Sequence, residues 1–178
     1  MASASNDVAD SSAWLQRSRL GFIVLVALYG LLRLANAEWW DLLDDLNLAV
    51  HEAGHIVFMP FGETMMVLGG SLFQVLAPAA FVAYFLRSRQ RYAAAVTTAW
   101  VAQSLVNVSR YIGDARAQEL PLLGGEDSIH DWWLLLTEHD LIARDLAIAR
   151  GAHFVAAVLF ITAVCAGWMF AWEKRRHE

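Results

Sequence analysis

Residues 64–86 read TMMVLGGSLFQVLAPAAFVAYFL, a charge-free run of 23 residues interrupted only by Gly69-Gly70 and Pro78. A hydrocarbon core about 30 Å thick takes roughly 20 helical residues to cross, so this run is long enough to span it as one helix. Arg87, Arg89 and Arg91 close it. Working outward, two further runs have the same character. Leu20 to Ala35 (LGFIVLVALYGLLRLA) follows Arg17 and Arg19, the pattern of a first span anchored on the inner side, with Arg33 placed to snorkel at its far end. Gly151 to Trp172 is apolar and ends in Glu173-Lys174-Arg175-Arg176. A fourth run, residues 92–112 (YAAAVTTAWVAQSLVNVSRYI), is rich in small and polar side chains, the kind that packs against other helices more than against lipid.

The composition agrees with this. Of 178 residues, 58% are hydrophobic and 17% charged, a balance that ordinary soluble domains of this size do not have. The net charge of −5 comes without a long basic stretch, which argues against nucleic acid as a partner and leaves membrane lipid and a membrane-protein or peptide substrate. With one cysteine, Cys165, there is no intrachain disulfide and no Cys-based metal cluster. Residues 1–13 (MASASNDVADSSA) are small and polar and read as a disordered tail ahead of a single membrane-embedded helical domain, 14–178. Ala35-Asn36-Ala37 could be a signal-peptidase site, but a retained anchor is favoured because the later helices need packing partners.

Residues 38–59 (EWWDLLDDLNLAVHEAGHIVFM) have helical periodicity but open on Glu38, Asp41, Asp44 and Asp45, which suit a helix N-terminus and not lipid. Lys and Arg beside spans prefer the cytoplasmic side. If 38–59 dips in and returns, all three basic clusters share that side and both acidic segments share the other. The expected fold is therefore all-α: a polytopic bundle of four spans plus a re-entrant or short helix, with five spans as the alternative. Both termini are then cytoplasmic, in a membrane of the bacterial inner type. The segment 131–149 (DWWLLLTEHDLIARDLAIA) is expected to lie along the interface, with Trp39-Trp40 and Trp132-Trp133 as interfacial anchors.

Within 38–59 stands His51-Glu52-Ala53-Gly54-His55, an H-E-x-x-H segment on a predicted helix. Spacing of four puts both imidazoles on one face, where they can hold one Zn²⁺. Glu52 then lies beside the water that zinc polarises, placed to take its proton and pass it to a leaving amine. Chance register on an ordinary helix is the bland alternative, but ionisable groups in an apolar setting are expensive and usually functional. The best candidate for a third ligand is Asp114, at the end of the small-residue span; otherwise it is a solvated carboxylate paired with Arg110 or Arg116. His130-Asp131-Trp132 is a second polar cluster: His130 could complete or replace the third ligand, with Asp131 or Asp127 orienting its ring. Gly69-Gly70 and Gln74 mark either a bend beside which an extended substrate could lie or a close helix packing. His139, His153 and His177 read as structural or solvated.

From His51 to Asp114 the chain resembles the site-2-protease-like intramembrane zinc metallopeptidases, over about residues 46–116. The resemblance implies a polytopic metalloprotease with His51, His55 and Asp114 as zinc ligands, Glu52 as general base and Asn107 as a substrate-positioning group. Where that family has Asn-Pro and Asp-Gly, this sequence has Asn107-Val108 and Asp114-Ala115. The alternatives are a zinc-dependent hydrolase of lipid amides or esters and a metal-binding membrane protein without catalysis. A carrier has no need of a Glu beside the first His. A haem site is disfavoured because histidines four apart on one helix cannot ligate opposite faces of one haem.

Overall fold

The computed structural model describes residues 2–123 and 129–173, with side chains from Ala13 onward. The Gly124-Gly125 turn, Asp127, the basic cluster at 174–176 and His177 lie outside the described residues. Among those described the chain is all α, with six helices: α1 (Ala2–Ala35), α2 (Leu42–Phe58), α3 (Glu63–Arg87), α4 (Arg91–Gly113), α5 (Asp131–Glu138) and α6 (Asp145–Ala171). α1 begins at Ala2, so the stretch expected to be a disordered tail continues the helix. Propagating an existing helix costs less than nucleating one, which lets the 20–35 run extend backward.

Among the described residues three helices are long and apolar enough to cross a membrane: Ala13–Ala35, Glu63–Arg87 and Ile142–Ala171. Leu25, Leu28 and Leu31 on α1 and Phe154, Ile161 and Met169 on α6 point outward, an apolar exterior that suits lipid. α4, expected as a fourth span, is 23 residues long but is not apolar enough to join them. The reason is its position: it is enclosed, packing most extensively on α6 and also on α3 and α1. Its Ala99, Ala102 and Val106 meet Ala156, Phe160 and Ala163 of α6, small residues that let two backbones approach closely.

At one end of the bundle the Arg19 guanidinium donates to the Glu173 carbonyl (3.1 Å), the Tyr92 hydroxyl to the Arg19 carbonyl (2.8 Å), and Arg91 pairs with Glu173 (3.3 Å). The middle of α1 at Arg19, the start of α4 and the end of α6 therefore share the basic end. α5 and the start of α6, where Arg116 pairs with Asp145 (2.7 Å), lie at the other. The expected interfacial segment 131–149 is not one helix: Asp140 takes a positive φ of 56° and ends it, and α6 starts at Asp145, ahead of the expected Gly151. Asp tolerates the left-handed region better than most residues.

α2 and α3 form a hairpin through a short 3-10 turn, Met59–Phe61, and Gly62. They cross at Gly54 and Gly69, where a Cβ on Gly54 would collide with the Gly69 carbonyl oxygen. α3 is continuous through Gly69-Gly70 and Pro78, and the glycines lie where α2 packs closely.

α2 starts in a capping box: Asp41 accepts from the Leu43 N–H (2.8 Å), and Asp44 accepts from the Asp41 N–H (2.9 Å). Asp41 also accepts from the Tyr29 hydroxyl (2.9 Å), which pins this cap to α1. Arg33, expected to snorkel, instead turns inward and pairs with Asp44 at 3.0 Å, both side chains being essentially inaccessible. It lies fourteen residues beyond Arg19, about 21 Å along α1 at 1.5 Å per residue, within a helix long and apolar enough to cross a membrane.

Candidate metal site

Both imidazoles of the H-E-x-x-H segment leave α2 towards α3 and α5, and each Nδ1 is occupied. His51 Nδ1 lies 3.2 Å from Gln74 Oε1, and His55 Nδ1 2.9 Å from the Met66 carbonyl. Neither partner atom carries a hydrogen, so Nδ1 is the donor in both rings, and both Nε2 atoms are left pointing at a common space, able to donate to a carboxylate when protonated or to offer a lone pair to a metal. This is the arrangement by which outer partners set the tautomer of metal-ligating histidines.

The space between the Nε2 atoms is shaped by two residues. Asp131 Oδ2 lies 2.9 Å from His51 Nε2 and 3.3 Å from His55 Nε2. Tetrahedral ligands at about 2.0–2.1 Å from a zinc ion stand roughly 3.3 Å apart, so these spacings match a ligand set. On the opposite side, a Cβ on Gly70 would sit 2.5 Å from His51 Nε2 and 2.7 Å from His55 Nε2. Glycine at 70 thus keeps open a cradle that any side chain would fill. Glu52 is exposed, and its carboxylate lies with the two imidazoles in a group whose ligand atoms are all within 4.8 Å of one another. Two nitrogens and one carboxylate oxygen, with a second carboxylate alongside, suit a divalent metal of the zinc type.

Asp131 is held by tethers on every side. Its N–H donates to the Tyr111 hydroxyl (3.1 Å), and the next residue, Trp132, donates its indole N–H to Ser71 Oγ (2.9 Å), one position from Gly70. Trp132 therefore acts as an internal strut and not as a free interfacial anchor. The preceding residue, His130, is the N-cap of α5, its Nδ1 accepting from the Trp133 N–H (3.3 Å). Burial alone would raise the Asp131 pKa, but hydrogen bonds from His51 and His55 outweigh it and hold the carboxyl below its ordinary range.

Of the residues singled out in the sequence, His51, Glu52 and His55 come together, whereas Asp114 and His130 meet each other. His130 Nε2 faces Asp114 Oδ2 at 3.3 Å, and the Asp114 carboxylate accepts the backbone N–H groups of Glu119 (3.0 Å) and Leu120 (3.1 Å). Burial pulls the His130 pKa below its ordinary value despite Asp114, which favours a neutral ring consistent with its capping role. The alternative pairing of Asp114 with Arg110 or Arg116 is also absent among the described residues, since Arg116 holds Asp145. Within His130-Asp131 the expected roles are exchanged: the aspartate faces the imidazoles and the histidine orders its helix. The available signal was the helix start itself, which puts a cap at 130 and a first-turn side chain at 131.

Asn107 lies behind His51. Gln74, whose Oε1 takes the His51 proton, donates its amide N–H to Asn107 Oδ1 (2.7 Å), and Asn107 donates to Asp44 Oδ1 (3.0 Å). Gln103 donates to the same oxygen (2.7 Å), so a buried chain runs from Arg33 through Asp44, Asn107 and Gln74 to His51. Asn47 joins it through Gln103 and accepts from Trp100 Nε1 (2.9 Å) and Ser104 Oγ (3.2 Å). The site opens onto a cavity of about 680 Å³ whose walls include Leu48, Leu120, Leu122 and Ile129. Comparison with family models, curated proteins and solved structures finds no match to this chain.

Replacing Gly70 with Ala places a methyl between the two Nε2 atoms. The expected outcome is a folded protein, with helical circular dichroism unchanged in detergent, that binds zinc at least about tenfold more weakly under competition with a chromogenic chelator. Unaltered zinc affinity would show that the metal does not use this cradle.

Proposed function

We propose that the chain is a membrane-embedded zinc hydrolase in which His51, His55 and Asp131 hold the metal and Glu52 is the general base, cleaving peptide bonds in or near the bilayer. The observation that carries this reading is the convergence of both Nε2 atoms on Asp131 Oδ2 while both Nδ1 atoms are tied back. When bound, zinc would supply a Lewis acid that brings the pKa of a coordinated water towards about 7 and polarises a carbonyl. The protein's part follows from its own side chains. Glu52 takes a proton from the attacking water and returns it to the leaving nitrogen. Gln74 and the Met66 carbonyl keep the imidazoles in the ligating tautomer, and Asp131 offsets part of the metal's charge. The resemblance to site-2-protease-like enzymes retains His51, Glu52 and His55 in this proposal, but the third ligand passes from Asp114 to Asp131, and Asn107 becomes a residue that positions His51 through Gln74.

The basic end is taken as cytoplasmic, which puts both termini inside and the metal site towards the outer half of a bacterial-type inner membrane. The apolar cavity walls favour one second reading, hydrolysis of a lipid amide or ester by the same residues. The test is Glu52→Gln in proteoliposomes containing a labelled single-span peptide and phospholipid, with products identified by mass spectrometry. Wild type is expected to release peptide fragments, and Glu52→Gln to keep about one zinc per chain while losing roughly 10²–10⁴-fold in rate. Lipid fragments in place of peptide fragments would select the second reading. Equal turnover by both proteins would end the hydrolase proposal.

A further inference from the structure

The cavity beside the metal site has polar walls on one side, and nearly all of them are engaged. Gln74 and Asn107 bond each other and His51 or Asp44, Tyr111 accepts from Asp131, and Asp131 faces both imidazoles. Besides Glu52, Arg110 is the exception among the described residues. It lines the same cavity and is the cation among the lining residues. The buried Arg33 has an acid, holding Asp44, and the exposed Arg116 holds Asp145. Among the described residues Arg110 has no carboxylate partner. Its guanidinium carbon instead lies 5.9 Å from the ring centre of Trp40, and that indole is fixed by donating Nε1–H to Asp45 (2.8 Å). An aromatic face holds a guanidinium in place while leaving its edge donors free, which is how arginine is prepared for a planar anion.

We propose that Arg110 is a specificity residue that binds a carboxylate of the substrate. This rests on the hydrolase reading above and adds a substrate class to it: peptides presenting a carboxylate near the scissile amide, with apolar side chains against Leu48, Leu120 and Leu122. A single guanidinium matches a singly charged, bidentate carboxylate. The carboxylate can come from a free peptide C-terminus or from an acidic side chain, and the experiment separates the two.

Three probes are titrated calorimetrically into the zinc-loaded full chain in detergent: a peptide hydroxamate with a free C-terminal carboxylate, its C-terminal amide, and the amide carrying an Asp side chain at the same position. The same titrations are run on Arg110→Gln. The expected result is that the free-acid probe, the Asp probe or both bind wild type about tenfold or more tightly than the neutral amide, reflecting a charge-assisted pair. Which one gains names the source of the carboxylate. Arg110→Gln should erase that preference while leaving the amide's affinity and the zinc content unchanged. Equal binding of all three probes to wild type, a preference that survives in Arg110→Gln, or no binding by a chain that holds zinc would each overturn the proposal while leaving the metal assignment intact. A wild-type chain that cannot retain zinc would overturn both.

Discussion

Asp131→Ala is expected to strip the metal from the purified protein, as His51→Ala does, whereas Asp114→Ala and His130→Ala keep it. The basis is geometric. Asp131 Oδ2 lies within 3.3 Å of both Nε2 atoms, while Asp114 spends its oxygens on two backbone N–H groups and faces His130. Losing one of three protein ligands leaves two imidazoles on one helix, too few to compete with a chelator. His130→Ala acts one step removed. It deletes the α5 cap next to Asp131, so the carboxylate is held less firmly, and metal affinity should fall about 10–100-fold, in the range seen for outer-shell changes. Elemental mass spectrometry after identical chelator washes reads the first effect, and competition with a calibrated chelator reads the second. Near one zinc per chain in Asp131→Ala, together with loss in Asp114→Ala, would restore the ligand set implied by the family resemblance and refute the one drawn from the fold.

Arg33→Met should be the most destabilising single change outside the metal site, by about 3–5 kcal/mol, because it leaves Asp44 as an uncompensated carboxylate inside the bundle. Asp44 Oδ1 takes Arg33, Gln103 and Asn107, and Oδ2 takes the α2 cap, so its neighbours are all arranged for a negative charge. Asp44→Leu strands Arg33, Gln103 and Asn107 together. Because Asn107 then loses its acceptor, the hold of Gln74 on His51 loosens, and zinc affinity drops with stability. The double variant Arg33→Met/Asp44→Leu removes both charges and should be clearly less destabilised than the sum of the singles. Unfolding in mixed detergent micelles, followed by circular dichroism with and without zinc, checks each value. Singles within about 1 kcal/mol of wild type would mean that water reaches the pair and that it does not secure α1 to α2.

Much of the fold follows from local pattern. A hydrophobic run of 23 residues has few options other than a helix, and the clustering of arginine at Arg17, Arg19 and Arg87 to Arg91 already groups the ends that the structure brings together. The pairing of His51 with His55 was equally legible, because a spacing of four on a 3.6-residue turn fixes two side chains on one face whatever surrounds them. α4 was readable as a packed helix from its alanines, but not as one too polar to count among the lipid-crossing ones. Arg33 looked like a snorkelling residue because nothing near it in sequence reveals an acid that reaches it only after the chain turns back at Asn36 to Asp41.

By itself, then, the sequence determined the helices, the basic end and the two imidazoles with their neighbouring glutamate, since each depends on residues within a few turns of one another. The tertiary structure alone decided which carboxylate faces the two imidazoles: Asp131, which stands 80 positions from His51 and arrives through the cap at His130 and the Trp132 strut on Ser71. It also decided the buried line from Arg33 to His51 and the position of Arg110, which has no carboxylate partner among the described residues. Which of several aspartates turns inward depends on where α5 docks, and docking is a property of packed surfaces that no spacing along the chain encodes.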